Sequence, residues 1–295
     1  MKVDKVIIAG AAIIVVLAVI LVMAGACGGC ALLASLPGTH GPLDRIEHET
    51  RSDTHAAADS IELVVSTIGG NVEIREWTED SVKVTYDVHA PEGHLGDVLT
   101  STKDTKEGNA TSITAEVRLK DDRFFNMGNR GADVTVMVPR GSTYSLHLNT
   151  LGGDIRVPPL QGSSVYMDTL GGKLYLNGGR YDTVTLTTMG GDIRATYEAT
   201  NATFRTMGGD IEIDTTQTAG ILDASTAGGD IDVKLPSGTQ FTIDAGTMGG
   251  RVRHGYIHMT PTTESDTRLV GQTEGGAGNL IVKLQTTGGN IDISY

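Results

Sequence analysis

Thr188-Met-Gly-Gly-Asp-Ile193 is followed at once by a near copy of itself, Thr206-Met-Gly-Gly-Asp-Ile211, and the same phrase runs through the chain. Its copies are Thr150-Leu-Gly-Gly-Asp-Ile155, Thr169-Leu-Gly-Gly-Lys-Leu174, Thr226-Ala-Gly-Gly-Asp-Ile231 and Thr247-Met-Gly-Gly-Arg-Val252, with outliers Thr67-Ile-Gly-Gly-Asn-Val72 and Thr286-Thr-Gly-Gly-Asn-Ile291. The first glycines of the central run, Gly152, Gly171, Gly190, Gly208, Gly228 and Gly249, are spaced by 19, 19, 18, 20 and 21 residues. A fixed period of this length marks a repeat architecture, in which each unit buries its apolar face against its neighbours.

Both sides of the glycines alternate. Val184, Leu186 and Thr188 share one phase, as do Ala202, Phe204 and Thr206; after the turn, Ile211 and Ile213 or Ile231 and Val233 do the same. Period two predicts half-buried strands. The paired glycines (Gly69 and Gly70, Gly152 and Gly153, Gly171 and Gly172, Gly190 and Gly191, Gly208 and Gly209, Gly228 and Gly229, Gly249 and Gly250, Gly288 and Gly289) then turn the chain where positive φ or close backbone approach excludes a Cβ.

Two architectures accommodate such units. In a β-solenoid, like a parallel β-helix, each repeat of about 19 residues is one coil and equivalent residues stack about 4.8 Å apart. In a meander or propeller each Gly-Gly closes an antiparallel hairpin. The threonine two residues before the first glycine in all eight copies (Thr67, Thr150, Thr169, Thr188, Thr206, Thr226, Thr247, Thr286) favours the all-β solenoid, because stacked inward hydroxyls can pass hydrogen bonds along the axis.

The amino terminus is a separate object. Lys2 and Lys5 precede Val6 to Ala26, which holds no charge and no proline. As a helix this run is about 30 Å long, enough to span a bilayer. No Lys or Arg follows until Arg45, so residues 1–26 read as a single-pass signal anchor with its amino terminus cytoplasmic and the repeats extracytoplasmic. Cys27 and Cys30 are the only cysteines, so no disulfide staples the repeats. They read as an inert or disulfide-bonded membrane-proximal pair, with lipidation or redox chemistry as alternatives. Residues 27–55 read as linker and 56–295 as the repeat domain, with insertions near 90–131 and 254–277. Between Gly69 and Gly152 there is room for about four irregular coils at the period of the run. Gly178-Gly179 reads as a second corner of its coil.

Composition bounds the function. The net charge is −13 and aromatic residues make up 4%, which excludes the basic face that nucleic acid requires and suits a thin aliphatic core. The residue after Gly-Gly (Asn71, Asp154, Lys173, Asp192, Asp210, Asp230, Arg251, Asn290) reads as a turn position with salt bridges to Lys173 and Arg251. The glycine-spaced calcium signature is missing from it, so no metal and no cofactor is expected. A polysaccharide-active site needs clustered carboxylates and aromatic platforms. Tyr166 and Tyr175, read as neighbours on adjacent coils, supply a weak one, and the spacing of His254 and His258 is interrupted by Gly255. Asn109-Ala-Thr and Asn201-Ala-Thr are glycosylation acceptors on an exported domain.

The phrases resemble the domain-of-unknown-function family of bacterial and archaeal β-strand-repeat proteins described as putative adhesins. Val136-Met-Val-Pro-Arg-Gly-Ser-Thr143 looks like the segment introducing that family's repeats, and Gly278 to Ile293 like its last coil. The likeness covers roughly residues 56–295. It implies a non-catalytic, membrane-anchored envelope module: an adhesin binding an envelope protein or glycan, or a structural or sensory component docking another membrane protein. The chain stops just beyond Ile291-Asp-Ile-Ser-Tyr295, so the carboxy-terminal coil is expected to be an open edge, covered by the 254–277 excursion or available for self-association.

Overall fold

The computed structural model describes residues 45–120 and 129–295. The apolar run Val6 to Ala26, Cys27 and Cys30 lie outside these residues. Among the described residues no helix is long and apolar enough to cross a membrane.

The strands before and after each Gly-Gly are not paired with each other. Each lies in its own parallel ladder, so the hairpin reading fails and a strand–corner–strand unit, here called a rung, stacks on its neighbours. In the first ladder Thr67 sits opposite Thr150, Thr150 opposite Thr169, and Thr169 opposite Thr188. In the second, Ile193 pairs Ile211, Ile211 pairs Ile231, and Ile231 pairs Ile291. Arg45–Tyr295 forms one compact unit.

Alternation places the apolar phase of both ladders in a shared thin core. Leu148, Met167, Leu186, Phe204, Ala224 and Leu284 are all fully buried. Large and small residues trade places along the axis: Phe204 is flanked by Leu186 and Ala224, and Leu284 by Ala224 and Ala245. The large side chain of one rung is thus accommodated by the small one of the next.

The order of rungs in space departs from the order in the sequence at both ends. The segment between Gly69 and Gly152 does not form four coils. It supplies one rung, Ala110–Leu119 with Gly131–Pro139, which stacks outside the Thr67 rung and leaves that rung in direct contact with Thr150. Two antiparallel strands, Ser81–Pro91 and Val98–Glu107, close this end. A further strand, Ile46–Ala56, pairs antiparallel with Ser81–Pro91 and lies inside the stretch that reads as linker. Arg51 donates to the Val98 carbonyl at 3.0 Å and Thr102 to Asp53 at 2.8 Å, tying the two closing layers together.

At the other end the last rung is not an edge. Asn279–Gln285 lies between Ala219–Ser225 and Phe241–Gly246, and Ile291–Ser294 between Ile231–Lys234 and Val252–Arg253. The excursion after Arg253 caps the Thr247 rung instead: Arg268–Thr273 pairs antiparallel with Phe241–Gly246, and Met259–Ser265 with Arg268–Thr273. The outermost strand carries Pro261, a register break and polar exposed residues, which blunt it against edge-to-edge pairing.

Candidate functional site

The eight phrases come together as one corner running along the stack, where the threonine, the second glycine and the residue after it each hold neighbouring rungs together. The Thr150 hydroxyl donates to the Gly70 carbonyl of the previous rung at 2.7 Å and accepts the Gly153 N–H of its own rung at 3.3 Å. Thr169, Thr188, Thr206 and Thr226 repeat this, donating to Gly153, Gly172, Gly191 and Gly209 at 2.9–3.1 Å. Thr286 donates to Gly229 and Thr247 to Gly289. The hydroxyls therefore link rungs through glycine carbonyls, not through one another as the stacking of threonines suggests.

The second glycine is required by close approach. A Cβ on Gly153, Gly172, Gly191, Gly209 or Gly229 falls 1.8–2.0 Å from the carbonyl oxygen of the second glycine one rung back. Positive φ plays no part at these positions; Gly69 alone among the paired glycines of the phrase has it. Gly178 and Gly179 do form a second corner, both with positive φ. A ninth, degenerate copy of the phrase, Gly131-Ala132-Asp133-Val134, forms the corner of the outermost rung, with Ala132 at the second-glycine position. Alanine is accommodated there because its neighbour is the antiparallel strand Ser81–Pro91, not another Gly-Gly corner.

The residue after Gly-Gly completes the lock. Asp133, Asn71, Asp154, Asp192, Asp210, Asp230 and Asn290 each accept the backbone N–H of the same position one rung on, as from Asp230 to Asp210 at 2.9 Å and Asn71 to Asp133 at 2.7 Å. Lys173 carries no acceptor and bridges Asp192 at 2.8 Å instead, which holds the Asp192 carboxyl below its ordinary range. These carboxylates each accept a main-chain N–H, which offsets part of the repulsion between neighbours in the stack. Among the described residues no three His, Cys, Asp or Glu side chains are placed to hold a metal.

What remains for recognition faces outward. On the second ladder Glu212, Asp232 and Asp292 are adjacent, flanked by Arg194 and Arg253. Desolvation, then Asp292, Asp230 and Glu212, pushes the Asp232 carboxyl up. Tyr166 and Tyr175 do not meet: Tyr166 lies on the first ladder stacked on His147 at 5.7 Å, and Tyr175 on the second beneath the Arg156 guanidinium at 4.7 Å. The aromatic platform is thus absent from this pair. Beside Tyr166, burial raises the Asp168 carboxyl. His254 and His258 form no helix; His254 faces Glu264. Asn201 is exposed on the first ladder and Asn109 at a hairpin turn, bonded to Asp59.

A hollow of about 490 Å³ opens where the capping hairpin meets the first ladder. Ile281 and Val270 lie in it, with Asp244, Lys283, Gln272 and Thr260 around them. Arg268 bridges Asp244 at 2.7 Å. Along the corner, Met207 and Met248 stand exposed, Met248 by 82%.

No curated protein matches the chain. Among solved structures, a putative adhesin from Bacteroides fragilis is 14% identical, covering 84% of this chain and 97% of its own, with a TM-score of 0.41. A putative cell adhesion protein from Clostridium sporogenes is 12% identical over 85% and 99%, with a TM-score of 0.35. A putative lipid binding protein from Parabacteroides distasonis is 15% identical over 83% and 96%, with a TM-score of 0.36. The Toastrack DUF4097 family model matches residues 60–221 and 195–294, so the protein belongs to the Toastrack DUF4097 family.

Proposed function

We propose that the chain is a non-catalytic surface-binding module of the cell envelope: a β-solenoid of about 19-residue coils, carried outside the membrane by the Val6–Ala26 anchor. One observation carries this reading. The repeated phrase is consumed in hydrogen bonds between rungs, so its chemistry holds the scaffold, while the outward residues differ from rung to rung. A rigid body with individual side chains displayed on flat faces suits recognition of a large partner more than turnover of a small one. On this reading the hollow lined by Ile281, Val270, Lys283 and Gln272 contacts the envelope protein or glycan. A structural or sensory role, docking another membrane protein through the acidic Glu212–Asp232–Asp292 face, is the second reading.

A photo-crosslinker at Thr262, in the hollow, and another at Asp214, on the second ladder, separate the two in living cells. The first reading expects adducts from position 262 that disappear in Lys283→Glu. Adducts from position 214 alone favour docking through the other face, and none from either position contradicts the proposal. Protease added to intact cells should remove the repeats; full protection contradicts the outward topology. Glycosylation of Asn109 and Asn201 is tested by intact mass.

A further inference from the structure

The position of the last rung has a consequence for assembly. Among the described residues Phe241–Gly246 and Val252–Arg253 pair with no strand of the earlier rungs; their partners are the last rung and the capping hairpin. Residues 279–295 thus fill a slot between the Thr226 and Thr247 rungs. One wall of the slot offers the Gly229 carbonyl and the Asp230 carboxylate, which take Thr286 at 2.9 Å and the Asn290 N–H at 2.6 Å. The other wall offers the Thr247 hydroxyl and the Arg251 N–H, which donate to Gly289 at 2.8 Å and to Asn290 at 3.1 Å.

The filling segment hangs from a hinge, Glu274-Gly-Gly-Ala-Gly278, in which Gly276 and Gly278 have positive φ. Everything that fixes the segment is a contact it makes after that hinge. An element joined through a short glycine-rich loop, with its rung contacts made to a slot in its own fold, makes those same contacts in the slot of a second molecule.

We propose that residues 279–295 are an exchangeable rung, and that the partner of the slot is the same segment of a second copy of this chain. Reciprocal exchange reproduces every rung-to-rung contact and leaves only the hinge altered. The pair then displays two copies of each outer face, which raises avidity for a repetitive surface. This proposal does not depend on what the outer faces bind.

The full-length chain in detergent, with Cys27 and Cys30 replaced by serine, tests it. One batch carries Ser225→Cys and another Gln285→Cys, register partners on one wall of the slot and on the strand that fills it. Mixed, warmed below melting and oxidised, they should give a covalent dimer joined through these two cysteines, with a yield that rises with concentration. The double variant in one chain should close internally when dilute, which shows that the geometry permits the bond. A double variant that closes, beside a mixture that yields no 225–285 dimer at any concentration, overturns the proposal. Deleting Gly275 to Ala277 shortens the hinge and should shift a folded monomer to twice its mass; a folded, strictly monomeric deletion also overturns it. Should that deletion not fold, the cysteine mixture decides alone.

Discussion

Replacing Gly209 by alanine separates close approach from turn propensity, because its neighbour Gly208 is a glycine of the same turn with no such constraint. The new Cβ would lie 2.0 Å from the Gly191 oxygen, 2.4 Å from its carbonyl carbon and 2.8 Å from the Asp192 nitrogen. All three are main-chain atoms, so no side chain can swing aside and the rungs must part by about 1 Å at the corner. Overpacking of this kind costs about 1–3 kcal/mol. The same movement breaks the Thr206 bond to Gly191, 2.9 Å, and the Asp210 N–H bond to Asp192, 3.2 Å, each contributing about 1 kcal/mol net. The sum is about 3–5 kcal/mol. At Gly208 the nearest atom to a new Cβ is 3.7 Å away and φ is not in the left-handed region. Gly208→Ala should therefore stay within about 0.5 kcal/mol of the parent. Urea unfolding of the Arg45–Tyr295 unit, with midpoints compared at equal slope, measures both. Equal midpoints for the two variants would refute the close-approach argument.

Thr206→Val keeps the shape but strands the Gly209 N–H and the Gly191 carbonyl, so it should cost about 1–3 kcal/mol by the same assay, while Thr206→Ser retains the oxygen and should cost less. Gln217 is 1% exposed, its amide donates to the Thr200 and Ala219 carbonyls at 2.9 Å, and its oxygen accepts from Tyr197; Gln217→Ala should lower stability by about 2–4 kcal/mol, read as a fall in Tm. Asp232 has a raised folded pKa, so its charge costs stability above that pKa and the cost fades as pH falls towards the ordinary aspartate value. Asp232→Asn should then raise Tm at pH 7 by a fraction of what about 0.2–1 kcal/mol for an opposed pair would give, discounted for exposure, and by nothing at pH 3. Asp192 has the opposite sign: lowered by Lys173, it contributes stability above the ordinary aspartate pKa and loses it as pH falls through its depressed value. Lys173→Met should accordingly lower Tm at pH 7, and the difference from the parent should shrink as pH falls through the depressed Asp192 value.

Strand character and the corner were legible because both depend on local rules. Val184, Leu186 and Thr188 alternate with outward residues, and no Cβ fits at a second glycine wherever that corner is stacked. The order of rungs was not legible, for a reason built into the repeat. Gly229 and Asp230 present the same carbonyl and carboxylate to any following phrase, so the text of the chain does not distinguish Thr286 from Thr247 as their neighbour. Ala132 hid its copy because the end rung tolerates a methyl group that inner rungs exclude. The supposed Tyr166–Tyr175 pair failed because a Gly-Gly corner lies between them and moves the chain to the other ladder, so counting by twos across it has no meaning. Gln217 lies at the second corner, where no repeated phrase draws attention to it.

The central claim is that identical corners lock the rungs in a spatial order with the last rung inserted between the Thr226 and Thr247 rungs. Asp232 faces Asp292 directly, and Arg253 lies on the far side of Asp292. In dilute, cysteine-free protein, Asp232→Cys/Asp292→Cys should close to a disulfide on oxidation. Asp232→Cys/Arg253→Cys should stay reduced, since two strand spacings of about 4.8 Å exceed what a disulfide bridges. Closure of the 232–253 pair, with 232–292 left open, would place the Thr247 rung directly on the Thr226 rung and contradict the account.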